Sequence, residues 1–188
     1  MRLPSSQSKR LISASAMACA GVLATAVALA VTTFSAAAAG TPACTSAGLV
    51  AWLNTTGSGA AGSTYYALQF TNLSGHTCTI TGYPGVSGVD LNGHQIGAPA
   101  SRNPAHKTKV ITLANGASSS SLNTTALAVL RITDVANYPA AKCGAVTAAG
   151  LRVYVPGQKA SQIVPFPFRA CSKTSGPYLS VESVEGGL

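Results

Sequence analysis

The ten residues STYYALQFTN, Ser63 to Asn72, decide how this chain folds. Tyr66, Leu68 and Phe70 stand two apart and share one face of an extended strand, because side chains in a strand alternate sides. Short apolar runs of the same kind recur along the chain, separated by Gly, Pro, Asn and Ser, and none carries a sustained helical period. Upstream, Leu49–Leu53 is expected to form a first strand with Trp52 anchoring the core. Downstream, Cys78–Thr81 is a short strand, and Tyr83-Pro84-Gly85 suits a tight turn. Val86–Leu91 and Gln95–Gly97 flank Asn92-Gly93-His94, where Asn-Gly signals a hairpin.

Beyond a polar loop from Ala98 to Thr108, strands are expected at Lys109–Leu113, turning at Asn115-Gly116, then at Ser118–Leu122 and Leu127–Val135. Gly150–Val155 (GLRVYV) alternates well, and Tyr178–Val184 is a closing strand. Ile163–Phe168 contains Pro165 and Pro167, which places it at a sheet edge, since proline donates nothing to a ladder. Ala126–Val129 and Ala140–Ala149 leave room for a helical turn; residues 40–43 and Glu185–Leu188 read as loose ends. The expected fold is all-β: one antiparallel β-sandwich of immunoglobulin-like kind.

The first 39 residues belong to a different class. Arg2, Lys9 and Arg10 precede an uncharged Ala/Val/Leu-rich run from about Leu11 to Phe34, and Ala36-Ala37-Ala38-Ala39 leads into Gly40. This is the layout of an export signal, with cleavage expected after Ala39; an uncleaved anchor is the rival reading. The domain is then residues 40–188, secreted or displayed at the cell surface, with no membrane span after cleavage. Three of the twelve Lys and Arg leave with the signal, so nine remain against Asp90, Asp134, Glu182 and Glu185, a net of +5. That balance favours anionic envelope surfaces as partners or simply keeps the domain soluble. Nucleic acid is a poor partner for an exported chain.

Cys19 also leaves with the signal, and Cys44, Cys78, Cys143 and Cys171 remain. Four cysteines in an exported domain read as two disulfides in one of three connectivities. Pairing of sequential neighbours, Cys44–Cys78 and Cys143–Cys171, is expected because each bridge would tie adjacent segments of a β fold. No CxxC and no Cys/His cluster of zinc spacing occurs.

The run Phe70–Gly97, FTNLSGHTCTITGYPGVSGVDLNGHQIG, resembles the signature of the domain-of-unknown-function 4232 family. The resemblance rests on Phe70-Thr71-Asn72, Cys78, Gly82-Tyr83-Pro84-Gly85-Val86 and Asn92-Gly93. It continues through Val110–Ala114, Cys143, GLRVYVP and Cys171, covering about Cys44 to Val184. It implies a β-sandwich ectodomain at an actinobacterial cell envelope. The family brings no established reaction, so no functional residue is carried over.

Chemistry-bearing patterns are few. Gly85-Val86-Ser87-Gly88-Val89 falls one glycine short of a G-x-S-x-G elbow and lacks its strand–turn–helix setting. His76, His94 and His106 are the possible bases of a hydrolase, with Asp90 or Asp134 as orienting acids. A glycosidase pair would have to come from only four acids, and the domain offers no methionine for copper. No cofactor or metal is expected. The surface feature that stands out is Arg102, His106, Lys107 and Lys109, four basic or potentially basic groups with no acid beside them in sequence. Such a loop suits an anionic polymer. Phe166 and Phe168 are the lesser candidates, as an aromatic rim for a sugar or a protein. The expected function is therefore a non-catalytic envelope domain that binds an anionic polymer or a surface protein. The alternatives are a hydrolase with a histidine base and a passive structural module.

Overall fold

A computed structural model of the chain describes residues 40–117, 123–173 and 176–187. The expected signal and the expected strand at Ser118–Leu122 lie outside them. β1 (Leu49–Ala60) and β2 (Ser63–Asn72) form a long hairpin, followed by β3 (Cys78–Ile80), β4 (Gly85–Val89) and β5 (Gln95–Ile96). Next come β6 (Ser101–Arg102), β7 (Ile111–Leu113) and β8 (Thr125–Thr133). A 3-10 turn (Val135–Asn137) and a one-turn helix α1 (Ala140–Cys143) lead to β9 (Ala145–Tyr154) and β10 (Ser161–Cys171). The chain closes with β11 (Leu179–Val181) and β12 (Glu185–Gly186).

The first sheet runs β1-β2-β8-β11-β6, with β12 also on β8; the second runs β10-β9-β4-β5, and β3 pairs with β7. All pairings are antiparallel except β11 with β6. One core lies between the two main layers. Leu68 and Phe70 of β2, Leu130 of β8, Leu151 and Val153 of β9, and Leu179 and Val181 of β11 are all buried in it. The all-β, antiparallel, doubly stapled expectation is what the structure shows. Cys44 is bonded to Cys78 and Cys143 to Cys171, across 34 and 28 residues. Bridges of that span restrict the unfolded chain by roughly 3–4 kcal/mol each in the chain-entropy view.

Several local expectations change. Trp52 is no core anchor: it is 42% exposed on the outer face, with its indole N–H donating to Thr71 Oγ1 at 3.1 Å. Leu49, Ala51 and Leu53 take the inward positions of β1, and strict alternation sends Trp52 outward. Ala126–Val129 is not helical. It lies within β8, where residues alternate between buried and half-buried, and the small Ala126 and Ala128 fill inward positions. Of Ala140–Ala149, only Ala140–Cys143 is helical, and Ala145 already starts β9. The bend expected at Tyr83-Pro84-Gly85 falls at Gly82, which has φ +99°. Residues within both stretches expected to be loose are tied to strands: Thr79 donates to the Pro42 carbonyl, and Gly187 to that of Thr125.

Three polar side chains set the architecture. Asn72 is fully buried. Its amide donates to the carbonyls of His76, Leu113 and Ala114, and its Oδ1 accepts from the Ser74 N–H and hydroxyl. Gln162 of β10 reaches the other layer, donating to the Ser46 and Leu49 carbonyls and accepting from the Ala51 N–H. Tyr178, also buried, donates to the Ile96 carbonyl at 3.0 Å. A side chain at Gly88 would collide with the Tyr178 hydroxyl, and one at Gly97 with the Cys171 carbonyl.

Asn72→Ala should therefore lower stability by about 3 kcal/mol, the upper end of the penalty for buried polar groups left unpaired. Urea unfolding measures this, and a loss below about 0.5 kcal/mol, the range of an ordinary surface substitution, would contradict it. Burial raises the Tyr178 phenol from 10.0 to about 12. Because the fold favours the neutral form, its contribution is intact below pH 10.0 and is lost as pH rises towards 12. Alkaline unfolding should begin in that window, and Tyr178→Phe should flatten the pH dependence there.

Candidate functional site

β6 is only two residues long, yet its parallel pairing with β11 decides the surroundings of the basic loop. Asn103 continues the contact by donating its N–H to the Val181 carbonyl. The loop that follows is thereby laid against Glu182–Glu185. Asn103 Nδ2 donates to Glu182 Oε1 at 3.0 Å, and His106 Nε2 lies 3.8 Å from Glu182 Oε2. Arg102 is spoken for as well, with its guanidinium 5.7 Å from the centre of the Tyr83 ring, a cation–π contact. Lys107 and Lys109 are exposed and make no ion pair among the described residues. With His106, Ser183 and Glu185 they line a recess of about 300 Å³. In sequence this loop has no acid beside it; in space it faces two of the domain's four. Of the loop's four basic or potentially basic groups, Lys107 and Lys109 are the two in neither an ion pair nor a cation–π contact among the described residues.

Phe166 and Phe168 do not form an open rim. Both rings are half-buried against the core, in an aromatic row running inward from the sheet edge. Tyr66 meets Phe166 edge-on at 5.0 Å, Phe166 stacks on Phe168 at 6.0 Å, and Phe168 lies 6.3 Å from Tyr178. The pairing of β10 with β9 shifts register between Pro165 and Phe168.

The three histidines are all exposed and sit on separate loops. His94 Nδ1 is 3.2 Å from Asp90 Oδ2 at the tip of the β4–β5 hairpin. Asp90 Oδ1 accepts the backbone N–H groups of both Asn92 and His94 at 2.8 Å. Those bonds, that from the His94 backbone foremost, hold the Asp90 carboxyl below the usual carboxylate range. The pair organises a turn; no hydroxyl or thiol nucleophile is hydrogen-bonded to His94 among the described residues. Ser87 is buried within β4, on a regular strand. No group of His, Cys, Asp and Glu among the described residues converges to hold a metal.

One cavity has no counterpart in the sequence patterns. A recess of about 490 Å³ opens beside the β1–β2 turn, with Tyr66, Ile132 and Phe168 in its lining and Asp134 and Arg169 among its polar groups. Its residues come from three distant stretches, so no local motif announces it.

The molecule so described is a disulfide-stapled, all-β domain with polar recesses at its surface. Residues 44–185 match the family model described as Domain of unknown function (DUF4232), and the chain belongs to that family. No curated protein and no solved structure matches it. Within the matched span Phe70, Asn72 and Cys78 are buried in or pinned to the core, whereas Thr71 stands on the outer face beside Trp52. No described helix is long and apolar enough to cross a membrane.

Glu182 is the partner that quiets the basic loop. Glu182→Gln, which keeps an oxygen for the Asn103 amide, should make the protein elute later from a cation exchanger, with folding stability changed by no more than about 1 kcal/mol. Unchanged elution would mean that Glu182 does not offset the loop.

Proposed function

We propose that this domain is an exported, non-catalytic binding module that engages an anionic polymer of the cell envelope through Lys107 and Lys109. The observation that carries the reading is the pair of exposed lysines, in no ion pair with any described residue, lining one recess. Arg102 and His106 serve the loop's shape, through Tyr83 and Glu182, more than its charge. Two disulfides suit an oxidising compartment, in keeping with the export signal read from residues 1–39. The non-catalytic assignment draws support from the exposed, separated histidines and from the burial of Ser87 in a strand.

A ligand held by two exposed ammonium groups should be salt-sensitive, since exposed charges are screened within about 8–10 Å at physiological ionic strength. Binding of the oxidised protein to isolated envelope and to a polyphosphate probe is therefore the test. Saturable binding that falls with salt and is lost in Lys107→Ala/Lys109→Ala is the expected result. Binding that survives both changes, or none to either target, would overturn the assignment.

A further inference from the structure

The recess beside the β1–β2 turn is built differently from the lysine-lined one. Its rim carries one acid and one base, Asp134 and Arg169, and neither makes an ion pair with the other or with any other described residue. Asp134 Oδ1 accepts the Ala136 N–H at 3.0 Å and caps the 3-10 turn, while its Oδ2 accepts nothing among the described residues. Arg169 spends one amino group on Thr147 Oγ1 at 3.3 Å and keeps its remaining donors uncommitted among the described residues. Tyr66, Ile132 and Phe168 line the same recess, together with Thr64 and Thr133. The volume, about 490 Å³, falls within the usual range for small-ligand pockets, about 300–1,000 Å³.

The rim is also held in place. Gly62 presents its carbonyl to both the Asp134 N–H, at 2.9 Å, and Asn137 Nδ2, at 2.7 Å, so the hairpin tip is tied to the segment bearing Asp134. The tip itself is Ala61-Gly62, with φ of +48° and +71°. Two positive φ values are what a two-residue hairpin loop of this hand requires, and Ala61 is the one non-glycine among the described residues to adopt such a value. Asn, Asp and Gly are the residues that accept it easily, so the alanine sits there at a cost.

Opposite charges that share a recess without meeting select a particular kind of guest. A simple anion would be drawn to Arg169 but repelled by Asp134, and a simple cation the reverse. A molecule carrying both charges satisfies both groups and leaves its apolar part to Tyr66, Ile132 and Phe168. We infer that this recess binds a small zwitterion of the α-amino-acid class with an apolar side chain, its carboxylate toward Arg169 and its ammonium toward Asp134.

The test is a titration of the isotope-labelled, oxidised protein with phenylalanine and with leucine, read by NMR. Phenethylamine, which lacks the carboxylate, and 3-phenylpropionate, which lacks the ammonium, are the comparison ligands. Saturable shifts centred on Tyr66, Ile132, Thr133 and Phe168 are expected with at least one amino acid. Each comparison ligand should bind about tenfold more weakly than phenylalanine, or worse, having lost a charge-assisted contact. Asp134→Asn, which keeps an oxygen for the cap, should remove the preference over 3-phenylpropionate, and Arg169→Gln the preference over phenethylamine. No saturable shift with either amino acid, or equal binding of phenylalanine and both comparison ligands, would overturn the inference. Lys107 and Lys109 line a different recess and take no part in this one, so the outcome is separate from that of the polymer test.

Discussion

The buried amide of Asn72 holds together parts of the chain that the sheets alone leave apart. It sits at the end of β2, where the strand must give way to a loop, and its side chain satisfies carbonyls from the loop before β3 and from the end of β7 and the residue after it. Its own backbone is committed as well, donating to the Thr124 carbonyl and accepting from Gly116. The amide itself is withdrawn from water, and a buried donor or acceptor without a partner costs more than a made bond returns. The consequence is a strong geometric demand. The β3–β7 pair must stand where one amide can reach it, and the Cys44–Cys78 bridge then fixes the incoming chain to the same pair. An aspartate here could accept but not donate to those three carbonyls, which explains why this position calls for an amide.

Surface chemistry follows from the fold in a less direct way. The Arg102–Lys109 loop reads as a strongly basic patch in one dimension. Two residues of parallel pairing between β6 and β11 turn it into a mixed one, by bringing Glu182 and Glu185 alongside. The charges that remain uncommitted are fewer and better placed than the sequence implies. The opposite happens at Asp134 and Arg169, which are isolated single charges in sequence and share one recess in space.

Much of the fold was readable because period-two alternation is a local property. STYYALQFTN and GLRVYV became strands with the expected inward faces, and Asn92-Gly93 closed the hairpin it signals. The sequential pairing of cysteines was readable for a related reason, since adjacent segments of an antiparallel fold tend to lie side by side. Trp52 was misplaced because size was weighed above phase; counting from Leu49 and Leu53 puts it outside. Ala126 and Ala128 were ambiguous because alanine favours helices alone but fits wherever two layers approach closely. The ends of the domain and the charged recesses were not readable at all. Both depend on partners tens of residues away, and no window of sequence contains them.

Gln162 has a bearing beyond the packing it provides. β1 and β10 are the outer strands on the same side of their respective sheets, and the Gln162 amide spans from one to the other, occupying backbone groups at Ser46, Leu49 and Ala51. Pro165 and Pro167 remove two donors farther along β10. On the opposite side the sheets finish in β5 and β6, each only two residues long. Long, flat, unpaired strands are where one copy of a β protein recruits another into a growing aggregate, and short or proline-broken borders deny that template. The two-residue borders β5 and β6 and the proline-broken border β10 thus guard the domain against edge-to-edge association.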